Sequence, residues 1–243
     1  MNQPCLTLLG LTVMLPFVGI STVFASPPET PSPHLINQSS MTRSLAEAIS
    51  QRDTPPSGER GDSIGGSRGG PICVISPGEQ ERGEIIWSDR PLFLWKTQQQ
   101  EPVEQITLLH ISTQEVIWEQ SLSPTTQQIA YTGEALEPGE DYQWKLSSGT
   151  EDSTTINWDT AWSFKVMEVD RRNLITAELQ RIETELSNGH ASVEVIALEK
   201  AQYLQDQGLR SDAIQVLYVV PNPSAIVNQT IQRISSSFCP SAE

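Results

Sequence analysis

Three cysteines, three histidines, six tryptophans and a scatter of carboxylates are the residues of this 243-residue chain with chemistry to offer. Cys5 sits ahead of an apolar block, whereas Cys73 and Cys239 fall at the start of the folded part and close to the chain end. In an oxidising compartment that even pair reads first as a disulfide. Its loop would hold roughly 165 residues, for which the chain-entropy relation gives about 5 kcal/mol as an upper figure. A metal site is not expected, because zinc takes four ligands and no Cys or His stands at Cys-x-x-Cys or His-x-x-x-His spacing. A catalytic thiol would need a nearby His and an intracellular setting.

His34, His110 and His190 are dispersed over a Pro-rich segment, a strand and a helix turn, so spacing yields no triad and no metal box. Glu134, Glu137, Glu140 and Asp141, with Glu151 and Asp152 further on, have the chemistry for calcium or for paired-acid hydrolysis. They lack the Asp-x-Asp-x-Asp-Gly loop that converges oxygens on calcium, and a solvated face is the simpler reading. Hydrolysis needs two acids at a defined separation across a cleft. No nucleophile elbow or phosphate-cradling loop is visible, since Gly65-Gly66 and Gly69-Gly70 precede no strand-to-helix turn. No cofactor is expected. Among the tryptophans, Trp95, Trp118, Trp144 and Trp162 share strand faces with other apolar residues and read as core. Trp87 and Trp158 lie nearer strand ends, and they are the anchors if a sugar or peptide is stacked anywhere.

Those residues must be positioned by a modest core. Hydrophobic residues make up 37% and charged residues 19%, leaving a good deal of chain uncored. Lys plus Arg number 15 against 30 Asp plus Glu, a net charge of −15, which argues against a nucleic-acid partner because phosphate affinity rests on basic side chains. No charged side chain occurs from Met1 to Pro28, and 6–20 is an apolar block followed by Val23-Phe24-Ala25. This pattern predicts a signal peptide over 1–25, cleaved after Ala25, and a periplasmic or extracellular location without stable membrane insertion after cleavage. A retained anchor is the alternative, although Pro16 and Gly19 interrupt the apolar stretch and the n-region lacks Lys or Arg.

Residues 26–70 are dense in Pro, Ser and Gly, with one helical-looking patch at 44–49, and predict a disordered linker. Its Arg60-Gly61-Asp62 is a three-residue match of the kind chance supplies. From 71 to 168 short β-branched and aromatic runs follow, at 84–87, 91–96, 105–112, 115–122, 127–132, 141–147 and 161–167. Seven runs at this spacing predict an antiparallel β-sandwich. Tyr142, Trp144 and Leu146 alternate with polar neighbours, so one face of that strand is dry. Pro138-Gly139 ahead of Tyr142 resembles the turn leading into the corner tyrosine of fibronectin-like and immunoglobulin-like sandwiches.

After Glu168 the period changes to that of a helix. Leu174, Ile175, Leu179, Ile182 and Leu186 form one stripe behind an Asp170 cap. A second helix covers about 192–207, a third starts at Ser211, and a fourth follows an Asn222-Pro223 cap. The fold class predicted is therefore α+β, a sandwich followed by a bundle of about four helices over 169–239, with 240–243 a disordered end.

Ala201, Tyr203, Leu204, Gly208, Asp212, Ala213, Ile214 and Leu217 are spaced as in one degenerate tetratricopeptide hairpin, whose small residues let two helices approach closely. More broadly, a Gly/Arg-rich lead at 65–70 running into Cys73 is followed by Pro91, Phe93 and Trp95, then the Pro-Gly-Tyr-Trp turn and strand, then the helical end. That order resembles a cyanobacterial family of exported proteins classed as a domain of unknown function. The resemblance supplies no catalytic residues. The absence of a catalytic constellation, together with that hairpin, a unit most often used for docking, predicts a non-enzymatic exported envelope protein acting as a protein-interaction or scaffold module, with an unidentified envelope protein as partner. The alternative is a carbohydrate-binding module using exposed aromatic residues, with a glycan as ligand.

Overall fold

Alternation in the strands and small residues in the helices account for most of the architecture. The computed structural model describes residues 33–50, 72–78, 83–97, 103–147 and 161–239. The leader, the rest of the linker with its Arg60-Gly61-Asp62, Trp158 and the final residues lie outside them. The described strands are β1 (Ile72–Ser76), β2 (Glu84–Ile86), β3 (Leu92–Thr97), β4 (Gln105–His110), β5 (Glu115–Ser121), β6 (Gln128–Ala130), β7 (Asp141–Ser147) and β8 (Trp162–Val166). The helices are α1 (Pro33–Ser50), α2 (Val169–Asn188), α3 (Val193–Asp206), α4 (Arg210–Tyr218) and α5 (Ala225–Phe238).

The strands make two sheets, ordered β1-β3-β6 and β2-β8-β7-β4-β5, so the chain is α+β with a sandwich-like body. All seven expected runs contain a strand, and β1 is an addition. The antiparallel expectation needs one correction, because the edge strand β2 joins β8 in parallel, pairing Glu84 with Phe164 and Ile86 with Val166. Alternation reveals which face of a strand is dry but not which neighbour it takes, so this pairing left no trace in the sequence.

The central strand of the smaller sheet explains how the layers stack. In β3, Phe93 and Trp95 point into the core between the sheets, beside Trp144 and Phe164. Leu92 and Leu94 point the other way and join Ile75 in a second core with the helices. A strand covered on both faces needs apolar residues throughout, which is why 92–95 is unbroken where β7 alternates. The order of layers is thus five-stranded sheet, three-stranded sheet, helices. The boundary expected at 168 crosses a shared core.

The expectation of a disordered linker over 26–70 is corrected for 33–50, which form α1. Leu45 and Ile49 are fully buried among the helices, and Gln205 Nε2 donates to the Ala48 carbonyl at 3.2 Å. Two apolar residues one turn apart sufficed to dock a helix in a composition that otherwise reads as linker. The helix group therefore holds five members.

Helix ends differ in detail. The side chains of Ser192 and Ser224 cap α3 and α5 by accepting from Val195 N and Val227 N, so the Asn222-Pro223 cap is displaced to Ser224. Glu168 occupies the cap position of α2 and Asp170 lies within its first turn, where it still favours the dipole. Leu174 is 72% exposed, because the line of α2 that packs inward runs through Ile175 and Leu179. Gly208 ends α3 at φ +75°, a left-handed conformation, while Leu209 N–H closes back on the Leu204 carbonyl at 2.9 Å.

Two buried indoles make a matched test of polar satisfaction. Trp144 Nε1 donates to the Pro77 carbonyl at 2.9 Å, whereas the buried Nε1 of Trp95 has no partner among the described residues. Trp144→Phe loses a hydrogen bond and strands an acceptor; Trp95→Phe removes a donor that was already unpaired. Trp144→Phe is expected to destabilise more, by about 1–2 kcal/mol. Equal losses in urea unfolding would contradict this.

Candidate functional site

Polar side chains concentrate where the helices meet the strand ends between residues 84 and 92. The N-cap of α4 is Leu209, which has no side-chain acceptor to offer the first turn. Glu84 of β2 takes that role from across the junction: its Oε1 accepts from Ser211 N at 3.1 Å, and its Oε2 from Ser211 Oγ at 2.7 Å and Gly78 N at 2.9 Å. In return, Asp212 receives the backbone that follows β2, with Oδ2 accepting from Trp87 N at 2.7 Å and Oδ1 from Ser88 N at 2.8 Å. One turn on, Gln215 accepts from Leu92 N at 3.1 Å and donates to the Arg90 carbonyl at 3.1 Å.

Helix α2 completes the junction. Arg172 Nε donates to the Trp87 carbonyl at 3.0 Å, and its Nη2 pairs with Asp89 at 2.7 Å. Asp212 is 2% exposed, and its two oxygens are taken by the Trp87 and Ser88 amides. Burial pushes its carboxyl from the ordinary 3.8 up to about 7; the Trp87 and Ser88 amides pull it down, and the nearby Glu84 carboxylate pushes it up. The arrangement is a carboxylate latch that fixes helix to sheet, with its oxygens already committed to backbone donors.

The residues singled out from sequence are placed as follows. Cys73 and Cys239 form a disulfide, with Cα atoms 5.8 Å apart, joining β1 to the end of α5. Trp87 is half-buried against the helical core, and its Nε1 donates to Thr176 Oγ1 at 2.9 Å. Its ring is a joint between layers, and Trp158 does not lie among the described residues. Trp95, Trp144 and Trp162 are buried, while Trp118 is half-buried, stacked on Phe93 and edge-on to Tyr131.

His110 sits 3.4 Å from Glu140 and edge-on to Tyr142, on a strand end. Glu134, Glu137 and Asp141 are exposed, and among the described residues no group of three or more His, Cys, Asp or Glu could hold a metal ion. Tyr142 Oη accepts from Glu137 N at 2.9 Å, closing the Pro138-Gly139 turn. Also among the described residues, no helix is long and apolar enough to cross a membrane.

Sequence reasoning gave Asp212 a place in a hairpin motif but no role. The available signal was an acid inside a helix whose neighbours Ala213 and Ile214 face inward. Such an acid is buried, and a buried acid needs donors. Large apolar side chains remain exposed at Val193, 62%, and Val219, 63%. They sit at one end of the α3–α4 pair, where Glu194 also accepts from Ser224 N. No model of a known protein family matches the chain, and no curated protein matches it.

Proposed function

We propose that the protein is a non-enzymatic, exported envelope protein whose helical layer is a rigid protein-docking module. The observation that carries the reading is the exposed Val193–Val219 end of the α3–α4 pair, held on a layer that a disulfide and the Asp212 latch fix to the sheets. Ala201 and Ala213, both fully buried, let α3 and α4 approach in the manner of a tetratricopeptide hairpin. The Tyr142 hydroxyl closing its own turn supports a fibronectin-like or immunoglobulin-like sandwich as the platform.

The test compares the mature chain with a Val193→Asp/Val219→Asp double variant as baits in envelope extract, with thermal unfolding confirming that both are folded. The wild type is expected to retain a partner that the variant releases. Identical retained proteins on both baits would sink the docking surface. Export is tested separately by thiol titration of protein taken from its native compartment, where no free thiol at Cys73 or Cys239 is expected.

A further inference from the structure

The last turns of α5, the end of α4 and the β3–β6 side of the three-stranded sheet enclose a groove of about 360 Å³. That volume is at the lower end of small-molecule sites, room for one or two sugar rings. The groove exists because β6 is only three residues long: its pairing with β3 stops at Leu94 and Gln128, with one further bond from Trp95 N to the Gln127 carbonyl.

The lining mixes two chemistries. Ile75, Leu94 and Ile231 give an apolar wall beside Tyr218, whose hydroxyl is 2.6 Å from Ser235 Oγ. The groove is also lined by Gln127, Gln128, Gln232 and Ser236, which bring amides and a hydroxyl. Amides and hydroxyls offer donors and acceptors together, as sugar hydroxyls do, while the apolar wall suits the C–H face of a pyranose.

Lys96 adds the only charge among the described residues of this lining. It lies on the helix-facing side of β3, two residues beyond Leu94, half-buried. Among the described residues no carboxylate lines the groove and Lys96 makes no salt bridge. On a chain of net charge −15, an ammonium with no carboxylate beside it among the described lining residues is a specific departure from the surroundings. A single ammonium without an arginine fork matches a one-charge carboxylate better than a phosphate.

We propose that this groove binds a uronate-type acidic sugar, with Lys96 holding the carboxylate, the amides and hydroxyls holding the ring oxygens, and the Ile75–Ile231 wall carrying the ring face. The site is separate from the Val193–Val219 end, so either reading stands if the other fails.

The test titrates the mature chain with digalacturonate, following amide shifts by NMR, and repeats the titration with uncharged digalactose and with a trialanine peptide. Saturable digalacturonate binding is expected, with shifts at Lys96, Gln128, Gln232 and Ser235. Digalactose should bind about ten-fold more weakly, and Lys96→Gln should lose about ten-fold toward digalacturonate while leaving digalactose unchanged. Lys200→Gln, whose lysine pairs with Glu183 on a distant helix surface, should bind like the wild type. Absence of saturation by about 10 mM, a weakness outside the range of specific sites, would overturn the proposal. So would equal binding by Lys96→Gln, or trialanine matching digalacturonate.

Discussion

Asp212→Ala should destabilise the protein by about 2–6 kcal/mol, because the amides of Trp87 and Ser88 both lose their acceptor and each buried donor left unpaired costs about 1–3 kcal/mol. The same residue sets a pH dependence whose sign follows from its raised pKa. Between the ordinary value of 3.8 and about 7 the folded state keeps a proton that the unfolded chain gives up. This group's contribution is therefore fully present below pH 4, declines as pH rises through that window, and is lost above about 7. The slope integrates to about 4 kcal/mol, at 1.36 kcal/mol for each pH unit.

Glu84, Asp89, Arg90, Arg172 and Arg210 belong to the elements around it, so the experiment subtracts their background by comparing Asp212→Asn with wild type in urea unfolding from pH 4 to 8. The Asn variant should lie below the wild type at pH 4 to 5 and approach it as pH rises, since the charge it lacks no longer has to be buried. A constant difference over that range would mean that Asp212 does not titrate there.

The second large effect is expected at the disulfide. Cys73→Ala/Cys239→Ala removes a link across a sequence separation of 166, for which a loss of about 2–5 kcal/mol follows from the freedom returned to the unfolded chain. Wild type in a strong reductant should show the same urea midpoint as the double variant. An unchanged midpoint on reduction would show that the two cores already hold β1 and α5 together without the link. Because α1 packs on α5, amide exchange at Leu45 and Ile49 should quicken in the variant.

What the sequence made legible was each element that meets its surroundings on one face. β7 alternates because Tyr142, Trp144 and Leu146 all face one core, and α3 and α4 show their small residues because a close helix pair needs them. Where two cores meet, the signal weakened. β3 is apolar on both faces, so its pattern hid the helices behind the sheet, and β1, half-buried over its first three residues, showed no period at all.

Composition misled at α1, where Pro and Ser nearby outweighed Leu45 and Ile49. A continuous stripe misled at Leu174, since periodicity gives an apolar line but not how wide a strip the neighbour covers. The junction at Asp212 stayed hidden for another reason. Its partners, the amides of Trp87 and Ser88, are backbone groups more than 120 positions away, and backbone amides carry no sequence signature.

The double-sided burial of β3 has one last consequence. Phe93 belongs to one core and Leu94 to the other, so neither can be hydrated without pulling the strand that the next residue needs in place. Sheets and helices, for all their different textures, should melt in a single calorimetric peak, and truncating either side chain should lower that peak for the whole molecule.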